Sequence, residues 1–202
     1  MFYISCAAAV HPGENTLTVQ VYRFSSGSWL EDQDFWRMSG LFRSVELFTK
    51  PEIHLEDVFV KQDFAPDFSS ATVTFDCKVS GAGTVSVVFN DEYGLYVIGE
   101  TNLESHGTWQ KLGADGSDEW TLPGARPEWR ENVLARAEAM LERDKNHPAI
   151  LIWSCGNESY GGKTLWEMSE YFRNADPSRL VHYEGIFWNR EYPATSDMES
   201  QM

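Results

Sequence analysis

Cysteine is scarce in this chain, and the three present, Cys6, Cys77 and Cys155, stand alone. Their number is odd, and no CxxC pair or Cys/His cluster accompanies them, which argues against a disulfide framework or a structural zinc site. Reduced thiols and a cytoplasmic location follow as the expectation. Basic residues are also in deficit: 16 Lys and Arg face 31 Asp and Glu, for a formal net charge of −15. Such a surface repels phosphate backbones and anionic lipid, so neither nucleic acid nor a membrane surface is expected as a partner. No apolar run approaches the length of a membrane span. The apolar opening, Met1 to Val10, is short and lacks a basic flank, so it is read as neither signal peptide nor anchor. Internal repeats and low-complexity tracts are missing as well.

What the chain does contain is core material. Of its 202 residues, 42% are hydrophobic and 14% aromatic, including 8 Trp and 12 Phe. A disordered chain is poorer in both. The first part reads as β structure. Leu17, Val19 and Val21 alternate with polar residues, and Val45 and Leu47 repeat the pattern after a long Trp- and Asp-rich segment. Three further alternating runs follow Pro51, at Val58 and Val60, at Val73 to Val79, and at Val85 to Phe89. Short strands between turn clusters are the grammar of a β-sandwich.

From about Asn90 the pattern changes. Leu95 to Ile98 is a short continuous apolar run, as in a buried parallel strand. Pro127 sits where helices accept proline, and Trp129, Val133, Ala137, Met140 and Leu141 recur at helical spacing, which predicts an amphipathic helix over Glu128 to Arg143. Ala149 to Trp153 predicts a second strand. Leu165, Met168 and Phe172 mark another helix, which Asp176-Pro177 stops, and Leu180 to Tyr183 predicts a third strand. The order is that of a parallel sheet with crossover helices.

In such folds working residues gather just beyond the carboxyl ends of the strands. Three places qualify: Glu100 to His106, Gly156-Asn157-Glu158, and Glu184. Carboxylates on one rim suit glycoside hydrolysis, which needs two of them flanking the bond. They equally suit a hard cation, with Glu104, His106 and Glu158 as ligands. By spacing alone Glu104 and His106 read more readily as surface polar groups, His147 as a helix-end cap, and His182 as a packed strand histidine. The loop from Trp29 to Trp36, with Glu31, Asp32 and Asp34, reads as a sugar-binding wall or as a rigid corner of the sandwich. Composition and spacing stop at an acidic β plus α/β protein with a hydrolase among the options.

Longer motifs carry more. SSGSWLEDQDFWRMSGLFRSVEL (Ser25 to Leu47), EYGLYVIGETNLESHG (Glu92 to Gly107), RDKNHPAILIWSCGNES (Arg143 to Ser159), DPSRLVHYEG (Asp176 to Gly185) and the final SDMESQM run in one order. That series resembles the β-galactosidases of glycoside hydrolase family two, from about His11 onward. The resemblance implies three pieces of a multidomain β plus α/β enzyme: the C-terminal part of a jelly-roll sugar-binding β-sandwich (1–50), the start of an immunoglobulin-like β-sandwich (51–89), and part of a (β/α)8 TIM barrel (90–202). It implies retaining hydrolysis of terminal β-D-galactosides such as lactose. By the same resemblance Glu158 is the general acid/base, Asn157 binds the sugar 2-hydroxyl, and Glu104, His106 and Glu158 hold magnesium. Asp34 falls at the galactose and sodium site. A gap near Phe89-Asn90 and a missing nucleophilic glutamate set the chain apart from the family. The expectation is therefore a chain with little turnover of its own, as part of a homo-oligomer or beside a complementing chain. The rival is a non-catalytic carbohydrate-binding or complementation fragment.

Overall fold

The computed structural model describes residues 4–31, 33, 38–41, 43–67, 69–88, 96–106, 121–124 and 126–200. Two separate sheets organise them. The first is an antiparallel hairpin of β1 (Leu55–Phe64) and β2 (Ala71–Val79), in which Val58 faces Cys77 and Val60 faces Phe75. Asp67 shapes the turn by accepting hydrogen bonds from the Ser69 N–H and hydroxyl. The second sheet is parallel, in the order β3 (Val97–Glu100), β4 (Ile150–Ser154), β5 (Leu180–His182).

Helix α1 (Arg130–Asp144) and helix α2 (Lys163–Ala175) make the crossovers. Pro127 opens a short 3-10 turn that leads into α1, where its missing N–H costs no helical bond. Val133, Ala137, Met140 and Leu141 of α1 are buried, as are Leu165, Met168 and Phe172 of α2. These spacings of three and four form the stripe that lies on the sheet. Gly99, Trp153 and Val181 lie in one row across the three strands. Trp153 and Val181 are fully buried there, and Trp153 stacks on Phe172 with ring centroids 5.8 Å apart. A Cβ on Gly99 would stand 3.1 Å from the Trp153 ring, so the narrow residue lets the indole lie against β3.

The opposite face carries the rows Ile98–Ile152–Leu180 and Glu100–Ser154–His182. Ile98 and Leu180 are half exposed, at 53% and 52%. The parallel sheet among the described residues is therefore an open sector and not a closed barrel. His182 fits its expectation: its ring sits between the Ser154 hydroxyl at 3.4 Å and the Ser200 hydroxyl at 3.1 Å. His147 does not. Its side chain is exposed, and its place in the fold is made by its backbone carbonyl, which accepts from Arg179.

The early β reading needs correction. Residues 17–21, 45–47 and 85–88 form no strand, and Leu17, Val19, Val45, Leu47, Val85 and Val87 are exposed. Alternation makes a strand only where a partner supplies the ladder bonds, and no described residue does so here. Among the described residues, 51–88 form one hairpin.

The hairpin is anchored to the α/β sector by two consecutive residues. Lys145, only 3% exposed, meets Asp57 at 2.8 Å and Glu142 at 2.7 Å and lies over the Phe59 ring. Burial works against its charge, yet the two carboxylates outweigh it and raise its proton affinity. Next to it, the Asn146 carboxamide accepts from the Val60 N–H (2.9 Å) and donates to the Val58 carbonyl (2.7 Å).

Candidate active site

The site is built where the loops after β3 and β4 touch. Thr101 crosses between them, its N–H donating to the Ser154 carbonyl and its hydroxyl to the Cys155 carbonyl. Beyond it, the Asn157 N–H donates to the Leu103 carbonyl at 2.9 Å. Gly156 makes this approach feasible. Its φ is +136°, and a Cβ there would lie 2.5 Å from the Leu103 carbonyl oxygen.

This contact brings Glu104, His106 and Glu158 together. One ligating atom from each lies within 4.8 Å of the other two. His106 Nδ1 is 3.1 Å from Glu158 Oε2, and Asn157 Nδ2 donates to Glu104 Oε2 at 3.1 Å. Glu104 is buried, while His106 and Glu158 are partly open. A divalent ion fits this donor set. Two carboxylates suit Mg2+ or Mn2+, and the imidazole nitrogen tilts the choice toward transition ions. Sequence spacing favours a surface role for Glu104 and His106; a two-residue separation says nothing about Glu158, 54 positions beyond Glu104 and 52 beyond His106.

Glu158 itself has φ +33°, in the left-handed region that non-glycine residues seldom occupy. Its N–H donates to Glu184 Oε1 at 2.8 Å, and Glu184 is 7% exposed. Glu184, the third strand-end carboxylate, is thus buried and bonded to the Glu158 backbone. Cys155 is fully buried beside this site, and burial pushes its thiol up to about 12. Burial likewise pushes the Tyr183 phenol up, and its hydroxyl donates to the Ser159 carbonyl.

One neighbour was not foreseen. The short 3-10 helix Ser26–Leu30 lies against the sector, with Leu30 fully buried, and the Glu104 N–H donates to the Leu30 carbonyl at 2.7 Å. Arg136 of α1 clamps this segment through Glu31 (2.7 Å) and the Asn102 and Gly27 carbonyls. Nothing in local spacing pairs Arg136 with Glu31. Arg136→Ala is expected to cost about 1–2 kcal/mol and to speed tryptic cleavage after Arg23; an unchanged cleavage rate would show that the segment is held elsewhere. Asp34 and Trp36 lie outside the described residues, so the sugar and sodium expectations at that loop stay as expectations.

Comparison with known proteins follows the same layout. The family model described as "Glycosyl hydrolases family 2, sugar binding domain" matches residues 2–51, and "Glycosyl hydrolases family 2, TIM barrel domain" matches residues 85–202. The β1–β2 hairpin falls between the two. A curated β-galactosidase from Clostridium acetobutylicum is 32% identical over 324 residues, covering 94% of this chain and 36% of its own length. One from Halalkalibacterium halodurans is 34% identical, covering 94% of this chain and 32% of its own length. A β-galactosidase large subunit from Latilactobacillus sakei is 53% identical over 113 residues, 55% of this chain and 18% of that one. The chain spans about a third of the length of the first two relatives. The alignment with the first is longer than the 202-residue chain, so the relative carries stretches inside the matched region with no counterpart here. The barrel match alone takes in every strand and helix that builds the site, and the sugar-binding match takes in the segment clamped beside it: the chain belongs to glycosyl hydrolase family 2.

Proposed function

We propose that this chain serves retaining hydrolysis of terminal β-D-galactosides, lactose among them, with Glu158 as general acid/base. The observation that carries the reading is the meeting of Glu104, His106 and Glu158 at adjacent strand ends in a chain whose curated relatives are β-galactosidases. A general acid must release its proton to the leaving oxygen and take one back from water. Glu158 is placed for this: it is partly open to solvent and has an imidazole beside it. Asn157 donates to Glu104 and in this reading meets the sugar 2-hydroxyl, a contact that strengthens as the oxocarbenium-like state forms. Glu104, His106 and Glu158 would hold Mg2+, which supplies positive charge beside the acid/base. Asp34 belongs to the sugar and Na+ side of the same reading.

A retaining reaction also needs a second carboxyl group about 5–5.5 Å from the first. Glu184 Oε1 already accepts the Glu158 N–H, so Glu184 is not assigned that role, and this reading treats the nucleophile as missing from the chain. The domain reading is 1–50 as sugar-binding sandwich, 51–89 as the start of an immunoglobulin-like domain and 90–202 as barrel. The proposed location is the cytoplasm, which reduced cysteines suit.

The test is an aryl β-galactoside assay with Mg2+ and Na+ on the purified chain and its Glu158→Gln variant. It is repeated after co-expression with the part of the Clostridium acetobutylicum β-galactosidase that this chain does not match. Turnover is expected only in the combination, and Glu158→Gln should lower it about 10²–10⁴-fold. If the combination hydrolyses the substrate at the same rate when it carries Glu158→Gln, the acid/base assignment is wrong. If the chain alone turns over and the variant does not, a second carboxylate within it acts as nucleophile.

Two observations favour a second reading, a non-catalytic assembly or carbohydrate-binding piece. The relative from Latilactobacillus sakei is called a large subunit, and Ile98 and Leu180 stand exposed on the open sheet face. No turnover in either arm, with galactose still bound, would support it.

A further inference from the structure

We propose that Glu184 is a positioning residue: it holds the Glu158 backbone in the left-handed conformation that aims the Glu158 carboxylate at His106 and Glu104. The inference deepens the proposed function, since it rests on Glu158 being the acid/base and a ligand. Its ground is geometric. β4 and β5 are parallel neighbours, with Ser154 opposite His182, so the loops that follow them run side by side. Glu158 comes four residues after that row and Glu184 two. Across the gap, Glu184 Oε1 accepts the Glu158 N–H at 2.8 Å. Residue 158 has φ +33°, a conformation that a residue with a Cβ leaves unless its surroundings hold it.

A carboxylate is a stronger acceptor for a backbone N–H than a neutral carbonyl. It is also an expensive group to bury without a task, and Glu184 is 7% exposed. The direction of the Cα–Cβ bond at residue 158 follows from its backbone angles. Rotation into the common right-handed or extended region would swing the carboxylate away from His106 Nδ1, now 3.1 Å from Glu158 Oε2. One side chain therefore sets the aim of another through its backbone.

The experiment uses the whole chain with Glu184→Ala and Glu184→Gln. Glutamine keeps an acceptor oxygen where the glutamate has one; alanine does not. Three readouts are taken: exchange of the Glu158 amide by NMR, the His106 ring nitrogen shifts, and Mg2+ binding by calorimetry. In Glu184→Ala the Glu158 amide should lose about tenfold or more of its protection. The His106 ring should move toward a free imidazole, and Mg2+ should bind about tenfold or more weaker. Glu184→Gln should restore the first two.

Unchanged amide protection and ring shifts in a folded Glu184→Ala chain would overturn the inference, as would Glu184→Gln failing in the same way as alanine. If alanine prevents folding, seen as loss of the near-ultraviolet Trp signal, glutamine decides alone: retained Glu158 protection supports the inference and lost protection overturns it. If the unsubstituted chain binds no Mg2+, the metal part of the proposed function fails, while the amide and ring readouts still decide the role of Glu184.

Discussion

Asp176→Ala should be the most destabilising single substitution in the α/β sector, by about 3–5 kcal/mol. Asp176 is 1% exposed at the end of α2 and serves three partners. Trp153 Nε1 donates to Oδ2 at 2.9 Å, the Ser178 N–H and hydroxyl donate to Oδ1, and the Arg179 guanidinium pairs with Oδ2. Arg179 continues inward, donating to the carbonyls of Ile150, Lys145 and His147, and its guanidinium lies over the Trp153 ring. Alanine would leave that buried cation without its carboxylate and the indole N–H without an acceptor.

The same carboxylate gives the prediction a pH signature. Burial alone pushes its proton affinity up, but the Ser178 and Trp153 bonds and the Arg179 charge outweigh burial and hold it below the usual carboxylate range. A depressed folded value means that the contribution is full above the ordinary carboxylate pKa, near ~3.9. It is lost as pH falls through the depressed value. Urea melts followed by Trp fluorescence at neutral and acid pH should show a loss at neutral pH in Asp176→Ala. In Asp176→Asn, which drops the charge and replaces one of the two acceptor oxygens with an NH2 donor, the acid dependence should be shallower. A neutral-pH loss below about 1 kcal/mol, the scale of an exposed pair, would show that this cluster contributes no more than a surface salt bridge.

Gly156→Ala is the second large effect, and it acts on the site directly. The φ of +136° is a region that residues with a Cβ hardly enter, and the added methyl would press on the Leu103 carbonyl and Cβ. The backbone strain alone is worth about 1–3 kcal/mol. The chain can escape by moving the β3 and β4 loops apart, which breaks the Asn157–Leu103 bond and separates Glu158 from Glu104 and His106. Calorimetric Mg2+ binding should therefore fall more steeply than stability does, whereas intact Mg2+ affinity in a chain weakened only in its melt would mean that the cluster does not depend on this contact.

What the sequence revealed and what it withheld divide by range. α1, α2 and the three parallel strands were legible because their signals are local: apolar spacing, Pro127 at a helix start, Asp176-Pro177 at a helix end. The strand-end rule found Glu104, His106, Glu158 and Glu184 for the same reason. Alternation at residues 17–21 and 45–47 misled, because a strand is completed by its neighbour and not by its own pattern. Pairings across the chain left no local trace: Arg136 with Glu31, Asn146 with Val58 and Val60, Glu184 with the Glu158 amide. Each depends on which loops the fold sets side by side, and that is decided by the core, not by the polar residues that benefit.

Asn146 has a consequence beyond anchoring. An edge strand such as β1 turns N–H and carbonyl groups away from its partner, the template on which a second chain could add a strand. A carboxamide is a peptide group in miniature, and that of Asn146 occupies both the Val60 donor and the Val58 acceptor. The hairpin is thus capped mid-edge by a surrogate for one rung of a ladder, so any strand seeking that edge must first displace a side chain rooted in the neighbouring sector.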